Sequence, residues 1–333
     1  MILVTGGAGY IGSHTVVDLI NNGYDVLVVD NFCNSTVSVI ADMEKICGKT
    51  ILFENINLID KEAVLALAAK YKFTSVIHFA AYKAVKESSD NPMKYYENNI
   101  VGLMNVIQLM QKSGCKNLIF SSSCTVYGEV DKVPVKESSP IQQPLSPYGN
   151  TKKICEEIIR DMTSIGAIEA IALRYFNPIG AHTTYLLGDN PQNFDNIMPL
   201  IIKVAKGISS HLNVFGDDYN TVDGSCVRDY VHVMDIASAH VKAMERMRKG
   251  KMEKAFEAFN LGSEKGYSVF ELIKTFEKVN NVKVNFKVVG RREGDVSNIY
   301  SDSTLAKEKL EWKINFSIEE MLSSAWKRSL KQT

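Results

Sequence analysis

The sequence predicts an α/β fold: a doubly wound parallel sheet followed by a smaller, mixed α/β C-terminal domain. Three observations carry this. Short β-branched runs alternate with helix-period segments from Met1 to Asn177, a glycine-rich turn joins the first run to the first helix, and the rhythm breaks after Asn177. Strand-helix alternation means βαβ units whose parallel strands are covered on both faces. Met1 to Thr5 is the first buried-strand run. Tyr10 to Asn22 places Ile11, Val16, Leu19 and Ile20 at helical spacing and stops before Gly23, a natural left-handed stop. "YDVLVVD" and "ILFEN" follow as strands, then a helix from about Lys61 to Tyr71, the strand "SVIHFA", a helix from about Pro92 to Ser113, and the strand "NLIFSSS". A helix opening at "SPYGNTK" and the strand "EAIALRYFN" complete the regular part. Gly180 to Asn196 reads as loop, and "AFEAFNLG" near Asn260 is a strand that returns to the sheet. The division is therefore 1–177 with 226–262 returning to it, and 178–225 with 263–333 as the second domain.

At 333 residues and 45% hydrophobic content, the chain is long enough for one large or two moderate cores. Basic and acidic residues balance at 38 each, so no global field draws it to nucleic acid or an anionic membrane. Any anionic ligand must be held locally. Cys33, Cys47, Cys115, Cys124, Cys155 and Cys226 are scattered without Cys-x-x-Cys or zinc spacing, so they read as reduced thiols and no metal is expected. "MILVTGG" is too short and lacks the basic start of a signal peptide, and no run reaches about 18 apolar residues. A soluble, cytoplasmic protein is the expectation.

Three constellations carry chemistry. In "TGGAGYIG", Gly6, Gly9 and Gly12 stand at a strand-to-helix junction, where glycines permit a tight turn, close approach to a pyrophosphate and close helix packing. Glycines also serve simple turns, but Asp30 ends the second strand, where a carboxylate can bond an adenosine ribose and repel a 2′-phosphate; NAD is favoured over NADP. In "FSSSCTVYG", the hydroxyls of Ser121, Ser122, Ser123 and Thr125 stand at the carboxyl end of a strand, where such sheets bind ligands. Tyr148 and Lys152, one helical turn apart, form the third. Free tyrosine, with a pKa of about 10, is a poor base at neutral pH. A cation about 4 Å away contributes roughly 4 kcal/mol at an effective dielectric near 20, so Lys152 together with an oxidised nicotinamide is expected to bring the phenol toward neutrality. Tyr82 and Lys86 share the spacing without a comparable reason to pair.

Gly6-x-x-Gly9-x-x-Gly12, the serine-ended strand and Tyr148-x-x-x-Lys152 resemble the extended short-chain dehydrogenase/reductase family, with its Rossmann-type sheet. "NFCNS", "HFAAYKAV", "YYENNIVG", "SPYGNTK", "LRYFNPIGAH", "VRDYVHVMD", "FNLGS" and "RREGD" are similar to its UDP-glucose/UDP-galactose 4-epimerase branch, over nearly the whole chain. The resemblance implies that Tyr148 takes the proton of the sugar C4 hydroxyl, that Lys152 bonds the nicotinamide ribose, and that Ser123 and Thr125 orient the reacting oxygen. It implies NAD retained as a prosthetic group, touched by Gly6, Gly9, Tyr10, Ile11, Gly12, Asp30, Asn31, Ser35, Asn57, Leu58, Phe79, Ala80, Lys83, Asn98, Tyr148, Lys152 and Tyr175. For the UDP-sugar it suggests Ser123, Thr125, Tyr148, Asn177, Asn196, Ile197, Phe215, Arg228, Arg292, Asp295 and Ile299, the two arginines as forks for the diphosphate. It further implies a homodimer built through the Pro92 to Ser113 helix and the Tyr148 helix, with Gly102 serving either close approach or an internal contact.

The chain departs from that pattern at several places. Asn57 stands where an Asp is usual and still accepts a bond, so weaker but retained NAD binding is expected. Ala81 and Lys86 replace common glycines, Lys86 adding charge near the sugar. Cys124 replaces a small apolar residue and reads as filler. Thr183 to Leu187 depart from the usual Pro-Ser-Gly run. Ile299 falls where relatives carry either Tyr or a small residue, so packing and selection at the sugar's C2 side both stand, and turnover of N-acetylated UDP-sugars stays open. A 4,6-dehydratase needs an acid pair after the Thr125 position, and "SCTVYG" has none. A reductase that releases its cofactor is disfavoured by "RREGD" and "VRDYVHV", and a non-catalytic NAD sensor by the presence of both Tyr148 and Lys152.

Overall fold

The computed structural model describes residues 1–189, 196–292 and 294–331. Strand β1 (Ile2–Thr5), helix α1 (Tyr10–Asn21), β2 (Val26–Asp30), α2 (Ser38–Cys47), β3 (Leu52–Asn55), α3 (Lys61–Lys70) and β4 (Ser75–His78) form the first half of the main sheet. Then come α4 (Val85–Asp90), α5 (Pro92–Tyr96), a π-helical turn (Glu97–Val101) and α6 (Gly102–Ser113), followed by β5 (Asn117–Ser123), a 3₁₀ turn (Cys124–Tyr127), α7 (Pro147–Ser164) and β6 (Glu169–Tyr175). The sheet has seven parallel strands, and its seventh, β10, enters from far along the chain; the order is β10-β6-β5-β4-β1-β2-β3. Sequence alternation sets its two faces. Ile2, Val4, Val26 and Val28 enter one core with α1, while Leu3, Leu27 and Val29 enter the other with α3, α6 and α7.

The remaining elements are β7 (Asn177–Ile179), α8 (Ile197–Ala205), β8 (Leu212–Phe215), β9 (Val227–His232), α9 (Val233–Arg248), β10 (Phe256–Leu261), β11 (Gly266–Ser268), α10 (Val269–Asn280), β12 (Phe286–Val289), β13 (Asn298–Ile299), α11 (Thr304–Leu310) and α12 (Ile318–Lys331). Strand β9 pairs with β7, β11 and β13 in a second sheet, and β8 pairs with β12. Of the segment 226–262, β10 pairs with β6 and α9 packs on α1, whereas β9 belongs to the second sheet. The reason is in the burial: Tyr230 joins the third core, with Ile201, Leu272 and Leu322.

Local chemistry explains the boundaries. Helix α1 ends one residue short of the expected Asn22, and Gly23 has φ 81°. Asp60 caps α3 by accepting from the Ala63 N–H at 3.1 Å. The expected Pro92 to Ser113 helix is continuous but widens into the π turn, which carries Asn98 and Asn99. Helix α2 lies outside the sequence expectations, although Val39, Ile40, Met43 and Cys47 have helical spacing and Gly48 closes it in the left-handed region. Part of the expected loop from Gly180 to Asn196, residues 190–195, lies outside the described residues, as does position 293 of "RREGD".

Candidate active site

The strand order reverses at β1 and β4, the topological switch point where such sheets bind ligands. There the chain opens a cavity of about 1310 Å³ above the carboxyl ends of the strands. Its floor is the glycine turn. A Cβ on Gly6, whose φ is 69°, would lie 2.6 Å from the Ala80 N, and one on Gly12 would lie 2.2 Å from the Gly6 carbonyl oxygen. Both positions therefore admit only hydrogen, and bare backbone lines the N-terminus of α1, the arrangement that receives a pyrophosphate.

Asp30 closes one end of this cradle. Its carboxylate accepts from the Ala8 N–H (3.0 Å), the Phe32 N–H (2.9 Å) and Ser35 Oγ (3.3 Å), and burial pushes it above the usual carboxylate range. Gly9, Ile11, Asn31, Asn57, Leu58, Phe79 and Ala80 line the same cavity. Tyr10 lines it too, its hydroxyl donating to the Gly180 carbonyl at 2.6 Å; Lys83 lies 3.8 Å from Asp189. Asn98 faces the cavity and donates to Asn99 Oδ1 at 3.0 Å. Asn99 in turn accepts from the Tyr82 N–H at 2.8 Å and donates to Thr151 at 3.0 Å, so the π turn ties the Lys83 loop to α7. Tyr175 is buried at the cavity wall, its hydroxyl 2.8 Å from His240 Nε2.

The Tyr148 helix is built as its sequence requires. Ser146 accepts from the Gly149 N–H at 3.1 Å, and Pro147 supplies the first-turn φ. Tyr148, Lys152, Ser123 and Thr125 all line the cavity. Burial pushes the Tyr148 phenol up to about 12, with a hydrogen bond to Ser123 pulling the other way and the Cys124 thiol adding to the rise. The expected lowering by Lys152 is not what these protein groups produce. Lys152 Nζ instead donates to the Ser121 carbonyl at 2.5 Å and lies 4.9 Å from the centre of the Phe120 ring, while burial brings it down to about 8. Thr125 Oγ1 is buried without a partner among the described residues.

The substrate-side expectations divide. Asn177 and Asn196 line the cavity, and Asn196 donates to Asp189 at 3.3 Å. Ile197, Phe215, Arg228, Arg292, Asp295 and Ile299 do not, because most sit on or beside the strands of the smaller sheets. They are nonetheless grouped. Asp295 lies 2.7 Å from Arg292 and 3.5 Å from Arg228, and the Arg292 guanidinium stands 5.3 Å from the Phe215 ring centre. Ile197 starts α8, directly after Asn196. Ile299 is packed against Val126, Tyr127, Val135 and Phe176, and Phe176 is itself cavity wall. Lys86 and Cys124 are also at the wall, with burial holding the Cys124 thiol up near about 12. Tyr82 meets Lys94, 4.3 Å from its ring centre, rather than pairing with Lys86. Sequence reasoning passed over Gly188 and Arg328 as wall residues; the crowding of Arg328 Cγ within 2.7 Å of a Gly188 Cβ pairs a loop with α12 and leaves no local signature.

Among the described residues no cluster of His, Cys, Asp and Glu could hold a metal ion, and no helix is long and apolar enough to cross a membrane. The sequence model of the GDP-mannose 4,6 dehydratase family matches residues 3–325. A UDP-glucose 4-epimerase of Pasteurella multocida is 44% identical over 98% of this chain and 96% of its own length. Among solved structures, a UDP-glucose 4-epimerase from Stenotrophomonas maltophila with bound NAD and formylated UDP-arabinopyranose superposes with a TM-score of 0.95 at 41% identity, covering 99% of this chain and 98% of that one. One from Bifidobacterium longum in complex with NAD+ and UDP gives 0.94 at 39% identity, with the same coverage. With the glycine cradle, the Tyr148/Lys152 pair and these likenesses together, the chain belongs to the extended short-chain dehydrogenase/reductase family and, within it, to the UDP-glucose 4-epimerases.

Proposed function

We propose that the protein interconverts UDP-glucose and UDP-galactose by epimerisation at C4 through a transient 4-keto sugar, with NAD tightly bound. The observation that carries this is the single cavity in which the glycine cradle and Asp30 meet Ser123, Tyr148 and Lys152. The cradle fits a dinucleotide because Gly6 and Gly12 have no room for a Cβ and Asp30 closes its far end. NAD bound there supplies a reversible hydride acceptor. The residues that would hold the cofactor are Gly6, Gly9, Tyr10, Ile11, Gly12, Asp30, Asn31, Ser35, Asn57, Leu58, Phe79, Ala80, Lys83, Asn98, Tyr148 and Tyr175, with Lys152 to bond its ribose.

Tyr148 takes the C4 hydroxyl proton and returns it, with Ser123 and Thr125 orienting the oxygen. Because burial holds the phenol at about 12, a nearby positive charge is required to make it a base. The chain's own buried cation, Lys152, is held by the Ser121 carbonyl beside that position. Asn177, Asn196 and Ile197 would take the sugar and uridine side, and Arg228, Arg292, Phe215 and Asp295 the diphosphate and uridine. Both arginines share the single Asp295 carboxylate, which leaves one positive charge of the trio for the diphosphate. Ile299 acts on selectivity through Phe176, which it backs.

Residues 1–177 with 233–262 form the cofactor half, whose core also takes in Ala306, Leu310 and Trp312 from the expected second domain, and most of the remainder forms the nucleotide-sugar half. We infer a cytoplasmic homodimer through the α5–α6 run (residues 92–113) and α7. Met93 and Met104, 71% and 39% exposed, are apolar surface on the first of these helical stretches, whereas Gly102 faces Leu58 within its own chain.

The test is a coupled assay of purified protein with UDP-galactose and then UDP-N-acetylgalactosamine, without added NAD. Turnover of the first is the expected result. Turnover of both assigns a dual N-acetyl activity to the pocket behind Ile299. Absence of turnover even with NAD added overturns the reading and returns a 4,6-dehydratase to consideration.

A further inference from the structure

Beside the cavity, on the face of the sheet that α7 covers, lies a row of polar side chains that the proposed reaction does not use. Ser122, Arg174 and Asn260 are register partners on β5, β6 and β10, so their side chains project to the same side. Glu156 of α7 is set onto this row, exactly one turn after Lys152. It accepts from Ser122 Oγ at 2.6 Å, from Arg174 Nε at 2.9 Å and from Arg174 Nη2 at 2.6 Å. Arg174 Nη1 donates to the Tyr127 hydroxyl at 2.9 Å, and that hydroxyl donates to Asn260 Oδ1 at 2.6 Å. Glu156 and Arg174 are 2% and 1% exposed.

A buried, bidentate ion pair is a poor device for stability alone, since apolar residues of similar volume serve as well or better. Its position supplies a different use. Lys152 must remain an ammonium although it is 4% exposed, and the strongest influence on it is desolvation, which favours the neutral amine. The groups facing it are few. On its own helix stand Tyr148 one turn before it, and Cys155 and Glu156, which both favour the charged form; on β5, the Ser121 carbonyl and the Phe120 ring; and on β4, His78, which is neutral and feels the Lys152 charge. Glu156 is the single carboxylate in that set.

We propose that the Glu156–Arg174 pair is a positioning device for Lys152: it pins α7 to β5 and β6, and its carboxylate keeps the Lys152 ammonium charged in a dry site. Arg174, and at 3.7 Å Arg160, share that carboxylate and limit its influence, so loss of Glu156 and loss of Arg174 are expected to move Lys152 in opposite directions. The residue is not catalytic, since it touches neither the cavity nor Tyr148. The consequence for turnover rests on the epimerase reading above; the effect on Lys152 itself does not.

The experiment therefore reads the lysine directly. Protein labelled at lysine Cε is titrated by NMR, the Lys152 resonance being assigned by its loss in Lys152→Met. The alkaline limb of kcat is measured in parallel. Glu156→Gln is expected to move the Lys152 titration and the limb to lower pH by about one unit, and Arg174→Met to move both to higher pH. If either single variant does not fold, Glu156→Gln/Arg174→Met is used; it retains the volume, and its titration is expected to shift downward because the carboxylate is lost. Ser122→Ala serves as the control that weakens the row without changing charge, and is expected to lower Tm with no shift. Unmoved titrations in folded charge variants, or shifts of the same sign in both singles, overturn the proposal. An inactive wild type whose Lys152 titration still shifts overturns the epimerase reading instead.

Discussion

Acid should destabilise this protein well above the usual carboxylate range, because four histidines are buried as neutral rings. His14 and His78 are each held at about 3, and His232 and His240 at about 4, desolvation being the leading cause in every case. Their partners show why a second proton is unwelcome. His14 Nδ1 faces the Tyr10 carbonyl at 2.7 Å while Nε2 has no partner among the described residues. His240 is spanned by the Ile236 carbonyl and the Tyr175 hydroxyl, both at 2.8 Å. Since each folded value lies below the unfolded one, the unfolded chain binds more protons, and stability falls as pH drops through about 6.5 toward the folded values. Lowering pH from about 7 to about 5.5 costs about 1.2 kcal/mol per ring, or roughly 5 kcal/mol for the four. Asp235, raised by burial to about 6, works in the opposite sense over the same window and returns about 0.8 kcal/mol. A net loss of about 4 kcal/mol is a large share of the 5–15 kcal/mol typical of a folded protein. Urea unfolding followed by circular dichroism at the two pH values measures it, with the m-value checked for constancy. His14→Leu should remove about a quarter of the pH-dependent drop whatever it does to absolute stability. A loss under about 1 kcal/mol in the parent protein would refute the assignment of neutral, dry rings.

Gly12→Ala should abolish cofactor retention, because its Cβ would meet the Gly6 carbonyl at 2.2 Å; nucleotide released from the purified variant by acid, quantified by absorbance, should be at most about a tenth of the parent amount. Ser123→Ala removes the one hydrogen bond that eases the Tyr148 phenol, so kcat should fall roughly 10- to 100-fold with little change in KM, and an unchanged kcat would remove Ser123 from the reaction. Asp229→Ala should destabilise by at least about 3 kcal/mol in thermal or urea unfolding: its buried carboxylate gathers the Ser263 and Ser301 N–H and hydroxyl groups at 2.6 to 3.0 Å, and all four would lose their acceptor.

Local chemistry made much of the first half readable. The β1 strand, glycine turn and α1 helix follow from a β-branched run, a sterically required turn and a left-handed stop, all within a few residues. Ser123, Tyr148 and Lys152 are equally local, since one strand end and one helix turn specify them. Helix α2 is obscured by its β-branched Val39 and Ile40, and the π turn has no residue signature because it changes hydrogen-bond register rather than composition. Long-range partners are the harder case. Nothing in "KICEE" announces that Glu156 will meet Arg174, and nothing in "VRDYVH" separates Arg228, bound to Asp295, from Asp229, committed to Ser263 and Ser301. Lys152 carries the most instructive difference, because spacing brings it near Tyr148 but only the fold aims its ammonium at the Ser121 carbonyl.

The π turn at Glu97–Val101 adds one residue to a run that is otherwise α-helical, so the two halves of that run are rotated by about 100° from the phase an unbroken helix would keep. Deleting any one of those five residues would restore regular i→i+4 bonding and give a smoother helix. It would also swing Asn99 off the Tyr82 backbone and Thr151, and carry Asn98 away from the cavity. Selection for thermostability alone would tend to erase the extra residue, and the cavity wall that Asn98 forms would change with it.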